Sequence, residues 1–404
     1  MTMFAHKLWK VITVFGLVLT VCACSSVGKT LDAVNFLQTP DNVDPPEELV
    51  DIDETLVVEK IWSRDLGRGT DKQLVALGIG VAGDMLIIGG RGGGVAALSR
   101  ETGEVIWKLQ TGMPLSAGPG IGDNFAVFGS SEGDVVTLEI ATGIVLWRSA
   151  VTSEVLSVPA VVNGYVIVRC VDGRVFGFDE VSGRRQWTYD RSVPLLSLRG
   201  NGDPVVFGNR VIYGFDNGAV GALLANDGSV LWEQPVATGR GRTELDRLAD
   251  IDGAIGVYGQ DMYVSSYNGR LASLAMESGR VLWVREMGSY SGVAVDGDGL
   301  YLTDAEDQVW RLDRRNGASL WTQAQLARRK LTVPVPAGDT VVVGDLEGYL
   351  HWLDKEDGKM LARERVADES IQATPVLIDD VLYVLGSGGR VGAYRFAPRD
   401  QGEP

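Results

Sequence analysis

From residue 56 to its end, this chain alternates short apolar runs with polar turns that carry glycine. Residues 132–147, EGDVVTLEIATGIVLW, give the pattern in full. Gly133 opens a tight turn, Val135 to Ile140 run extended, Thr142-Gly143 turn the chain back, and a second apolar strand ends on Trp147. Glycine suits both turns because it accepts φ > 0 without strain. The same sixteen-residue frame recurs as GGGVAALSRETGEVIW (92–107), DGRVFGFDEVSGRRQW (172–187), NGAVGALLANDGSVLW (217–232) and NGRLASLAMESGRVLW (268–283). Weaker copies are EDQVWRLDRRNGASLW (306–321) and EGYLHWLDKEDGKMLA (347–362), the latter with Ala362 where Trp is expected. An eighth begins at GGRVGAYRFAP (388–398) and stops before its Trp.

A further apolar strand precedes each frame, from DMLIIGG (84–90) to VLYVLGS (381–387). Repeats of about forty residues with several short strands cannot bury separate cores, and so predict one β-propeller. The fold class is all-β: eight four-stranded blades over residues 55–398, with 399–404 as a tail. The missing last strand is supplied by VEKIW (58–62), which reads like the GEVIW ending at Trp107. Pairing the first strand with the last blade closes the ring and removes a sheet edge. The Trp residues sit at one repeat position, so each is expected to pack between adjacent blades, and Ala362 to mark one interface that is less well filled.

Residues 1–23 lie outside this pattern. Lys7 and Lys10 precede VITVFGLVLTV, an apolar run too short to span a bilayer comfortably. It reads as a secretory leader. Val21-Cys22-Ala23-Cys24 resembles the lipobox of bacterial lipoproteins, with Cys24 as the lipidated residue and Ser25 favouring the outer membrane; the alternative is an ordinary cleaved signal. Residues 24–54 would then form a tether. Between Asp41 and Glu54 stand seven acids, no base and Pro45-Pro46, a composition that predicts an extended, mobile segment. Removing Lys7 and Lys10 with the leader takes the net charge from −16 to −18, which argues against nucleic acid and anionic lipid surfaces as partners. Of the three cysteines only Cys170 remains unmodified, a small hydrophobe on a strand.

Successive Trp positions are spaced 40, 40, 45, 51 and 38 residues apart, so two units are long. The extra residues lie in RSVPLLSLRGNGDPVV (191–206) and VATGRGRTELDRLADID (236–252). Insertions on a repeat scaffold tend to carry specificity. Leu195, Leu196 and Leu198 would be apolar on a shared surface, Arg199 and Arg247 cationic, Asp250 and Asp252 anionic, as suits protein binding. Equally, the leucines could form a strand and the charged run a solvated loop.

Catalytic patterns match only superficially. Gly78–Gly83 fits G-x-G-x-x-G, but a strand follows in place of the helix that a dinucleotide site requires. Gly129-Ser130-Ser131-Glu132-Gly133 fits the nucleophile elbow, yet it is a repeat turn equivalent to Gly344–Gly348. One histidine, His351, remains after the leader, so neither a Ser-His-Asp site nor a His-rich metal site is expected.

The strand-TG-x-x-x-W frame resembles the pyrroloquinoline-quinone-type propeller repeat. Leader, tether and eight units together resemble the BamB family, lipoproteins of the outer-membrane β-barrel assembly (BAM) complex. LLSLRG (195–200), TELDRLADID (243–252), YNGRLASLAMESGRVLWVREMGS (267–289) and GDLEGYLHWLDKEDG (344–358) carry the resemblance, which covers nearly all of the mature chain. It implies a non-enzymatic scaffold without a cofactor, lipid-anchored to the outer membrane and facing the periplasm of a Gram-negative bacterium. Its partners would be the POTRA domains of BamA, through BamA the other BAM lipoproteins, and unfolded outer-membrane proteins as clients. The family's contacts with BamA map to Leu196, Leu198, Arg199, Asp250 and Asp252. The chain departs from the family in its long acidic tether and in IDGAIGV (251–257), where a Pro is usual. A quinone-dependent dehydrogenase is the alternative that shares these blades; the vicinal Cys pair often found in those enzymes is absent.

Overall fold

The computed structural model describes residues 44–399, apart from 68, 72, 195, 197, 199–201, 240–247 and 268. By contacts the chain divides into Met1–Pro45 and Pro46–Pro404. The leader, Cys24 and the tether as far as residue 43 lie outside the described residues, and the propeller belongs to the second unit.

Eight antiparallel sheets follow one another along the chain. Blade one contains Ile79–Ala82, Met85–Gly89, Gly94–Ser99 and Val105–Gln110, each strand paired with the next. Blades two to seven repeat that order, and blade two gains a short strand, Ala76–Leu77, parallel to its innermost strand Leu115–Ile121. Blade eight is built from Val376–Ile378, Val381–Leu385 and Arg390–Pro398, with Leu56–Asp65 as its outermost strand. The predicted ring closure is therefore present.

The sequence pattern explains the layering. Second and third strands, such as Met85–Gly89 and Gly94–Ser99, are buried along most of their length because another blade covers each face. Outermost strands are largely exposed. Among the described residues the core is eight apolar clusters, one for each pair of neighbouring blades.

A device that recurs at the outermost strand was not visible in the sequence. Each pairing of third and outermost strands shifts register just before the Trp position, at Val145/Trp147 in blade two and at Lys60/Trp62 in blade eight. Such a bulge re-aims the side chain that follows it. The indole then lies on the turn glycine of the next blade: Trp62 on Gly103, Trp107 on Gly143, Trp147 on Gly183 and Trp321 on Gly358. In six of the seven blades that carry this Trp, its Nε1 donates to a carbonyl of the same turn, as from Trp107 to Ile140 at 2.8 Å and from Trp321 to Lys355 at 2.9 Å, whereas Trp232 Nε1 finds no acceptor among the described residues.

Ala362 breaks the series for a topological reason. The turn on which a Trp at this position would lie connects third and outermost strands, and in blade eight those strands come from opposite ends of the chain. Trp352, directly across the ladder from Ala362, supplies the ring instead and packs against Phe396 with centroids 5.9 Å apart. The interior of this interface is thus filled, while its rim stays open.

The tether differs from its composition. Residues 47–55 are held against blades six and seven: Glu47 N–H donates to Ala327 O at 3.1 Å and Thr55 N–H to Leu361 O at 2.9 Å. Arg329 and Arg363 donate to the carbonyls of Glu47 and Val50 at 2.9 and 3.0 Å, and Leu49 packs on the cluster around Leu326 and Leu331. Arginines of the propeller meet the segment's acids and carbonyls, so the self-repulsion expected of an isolated acidic run does not decide its conformation.

Candidate functional site on the inserted face

In a four-stranded meander the connections between blades emerge on one face, together with the turns between second and third strands. Both long insertions are such connections. The first joins Arg185–Tyr189 of blade three to Val205–Phe207 of blade four, and the second joins Val230–Pro235 to Gly256–Tyr258 of blade five. They meet. Leu198 N–H donates to Asp250 Oδ1 at 3.0 Å. A Cβ on Gly202 would stand 3.1 Å from the Asp252 carbonyl oxygen, so the two backbones touch. Ser157, in the connection from blade two to blade three, fixes the first insertion by donating from Oγ to Gly202 O at 3.0 Å, and Val158 N–H donates to Asp203 Oδ1 at 2.8 Å. Burial pushes Asp203 up to about 6.

Beneath this junction lies a buried charge cluster. Arg169 ends the second strand of blade three and donates to Gly214 O at 2.6 Å and to Asp216 Oδ1 at 2.5 Å. Its guanidinium also sits 5.4 Å from the Phe215 ring centroid. Asp250 is 1% exposed, and its Oδ2 has no hydrogen-bond partner among the described residues. Both carboxylate oxygens of Asp252 are likewise buried without a donor among the described residues. Burial pushes Asp252 up to about 8, Arg169 opposing and Asp216 and Asp250 adding to the rise. Asp250 is raised as well, chiefly by burial, against the Leu198 N–H.

The residues singled out from the sequence therefore separate. Leu196 is 44% exposed and Leu198 half-buried. Asp252 is half-buried with its carboxylate turned inward. Asp250 braces the leucine segment from inside and does not stand on the surface. Neither Leu196 nor Leu198 is in a strand. Leu195, Arg199 and Arg247 lie outside the described residues, as does Cys24. Arg169 and Asp216 went unnoticed because they lie in the repeat frame, and Asp203 because nothing in the first insertion's sequence marks it as buried. The available signal was an arginine in the apolar run GYVIVRC, where a strand covered on both faces has no water for it.

Elsewhere the polar groups are structural. His351 is fully buried with Nε2 3.0 Å from Asp345 Oδ2, and Asp345 also pairs with Arg329 at 2.8 Å. Burial lowers the His351 pKa, leaving a neutral ring. Gly78–Gly83 leads into paired strands, and Ser131 lies in the turn between Phe125–Ser130 and Asp134–Glu139. Among the described residues no group of three His, Cys, Asp or Glu side chains is arranged for a metal. Burial pushes the Cys170 thiol up to about 12.

These features define an eight-bladed propeller of quinoprotein-type repeats, elaborated on one face where blades three, four and five meet. The family model for outer membrane protein assembly factor BamB matches residues 59–120, 91–323 and 324–400. The chain is 44% identical to outer membrane protein assembly factor BamB of Pseudomonas aeruginosa, over 96% of this chain and 98% of that one. It is 46% identical to the protein of the same name from Alkalilimnicola ehrlichii, over 86% and 91%. Among solved structures, BamB from Moraxella catarrhalis matches with a TM-score of 0.77 at 28% identity, over 84% of this chain and all of that one. The chain belongs to the BamB family. Quinohemoprotein alcohol dehydrogenase from Comamonas testosteroni, at 14% identity and a TM-score of 0.65, shares the fold alone.

Proposed function

We propose that this protein is a non-enzymatic scaffold of the outer-membrane protein assembly machinery. It is lipid-anchored through Cys24 and docks the periplasmic POTRA domains of BamA on its inserted face. Relatives over almost the whole chain are named outer membrane protein assembly factors, which supports the role. The observation that carries the docking site is the junction of the two insertions. Leu198 and Asp250 lock the loops together, and Leu196 stays exposed. An exposed apolar anchor on a braced loop fits a partner that brings an apolar pocket.

Tagged protein solubilised from its own membranes tests both parts. Co-purification of a POTRA-containing barrel protein supports the role, and its loss in Leu196→Asp supports the site. Recovery unchanged in Leu196→Asp moves the site elsewhere, and no such partner at all sinks the scaffold reading. Asp250 is unsuitable for this purpose, because substituting a buried brace disturbs the fold.

A further inference from the structure

The open rim between blades seven and eight forms a cavity of about 910 Å³. It lies on the face opposite the inserted loops, because its walls include the turns between first and second strands at Gly338-Asp339 and Asp379-Asp380. At seven other junctions the corresponding place is taken by an indole lying on a turn glycine: Trp62, Trp107, Trp147, Trp187, Trp232, Trp283 and Trp321. Here both parts are missing. Ala362 replaces the Trp, and blade eight has no turn between its third and outermost strands.

What remains is apolar below and acidic above. Leu56, Leu361, Leu377 and Phe396 form the apolar part. Glu54, Asp339, Asp354, Asp379 and Asp380 face it against two cations, Arg395 and Arg399. Glu54 pairs with Arg399, and Asp379 with Arg100 of blade one. Asp339 and Asp380 have no ion-pair partner among the described residues. We propose that this slot is a second binding site, which takes an aromatic side chain of an extended basic peptide segment from another protein. The aromatic ring replaces the indole that the other junctions supply internally, and lysines or arginines beside it meet the surplus of carboxylates. The chain's own tail, Asp400-Gln401-Gly402-Glu403-Pro404, offers acids and no aromatic group, so like charge disfavours it as the occupant.

The test is calorimetric titration of the purified chain with acetyl-Lys-Lys-Trp-Lys-Lys-amide and with the same peptide carrying Ala, or Glu for Lys. The expected result is saturable one-to-one binding of the Trp–Lys peptide, at least tenfold tighter than either control. Leu361→Trp, which fills the slot from its own wall, abolishes that binding. Asp339→Asn with Asp380→Asn weakens it severalfold; asparagine also tolerates the positive φ of Asp380. Because the paired Asn variant leaves the apolar walls intact, it serves even if Leu361→Trp misfolds. No binding, binding indifferent to Trp or to the variants, or binding that requires removal of residues 400–404 overturns the proposal.

Discussion

The indole of Trp147 lies against Gly183, the turn glycine of the next blade, so closely that a Cβ there would stand 2.4 Å from the ring. Its Nε1 donates to Glu180 O of the same turn at 2.8 Å. The TG-x-x-x-W frame is thus a contact between successive repeats and not within one. Gly183 meets two demands at once, a φ of +66° and the close approach of the ring. Gly183→Ala should cost about 2–4 kcal/mol, combining left-handed strain with overpacking. Trp147→Ala should cost about 3–5 kcal/mol by opening a cavity. In urea denaturation the double variant should lose less than the sum of the two, because the residues share one contact. Full additivity would show that they act separately.

The architecture was legible because the repeat prints each second and third strand as an apolar run between glycines. The innermost strands were not, since three residues such as Ala160–Val162 carry no periodicity. The register shift before each Trp was hidden too, because a bulge is a property of pairing and not of one strand. At the candidate site the insertions could be found from spacing alone. The inward turn of Asp250 and Asp252 could not, for it depends on Leu198 and on Arg169, a blade away. Residues 47–55 misled for the same reason: composition describes a segment without its neighbours.

Ring closure gives the second prediction. Leu56–Asp65 pairs with Arg390–Pro398 over nearly its full length, and Trp62 reaches the turn of blade one. A chain beginning at residue 66 exposes the edge of Arg390–Pro398 and empties the contact at Gly103. It should melt at a lower temperature than the full chain and self-associate through the open edge. Light scattering coupled to gel filtration checks this. A monomer with an unchanged melting temperature would mean that closure adds nothing to the ring.

The buried pair of Arg169 and Asp216 gives the third. Removing one partner leaves a charge without compensation, so Arg169→Met should destabilise by about 3–5 kcal/mol. Arg169→Met with Asp216→Leu removes both charges and should recover much of that loss, although Gly214 O still loses its donor. Chemical denaturation of the three proteins decides it. If the double variant is as unstable as the single one, packing of the arginine over Phe215 matters more than its charge.

Asp252 gives the fourth prediction, a pH dependence of stability. Burial pushes its folded pKa up to about 8 from the ordinary aspartate value of 3.8. Between those values the folded chain holds a proton that the unfolded chain has released. The contribution is therefore fully present below the unfolded value and is lost as pH rises through the folded one. Asp252→Asn stays neutral throughout, so across pH 4–8 its melting temperature should fall less than that of the unaltered protein. Differential scanning calorimetry of both proteins across that range checks this. If the variant's melting temperature falls as steeply as that of the unaltered protein, another group carries the dependence.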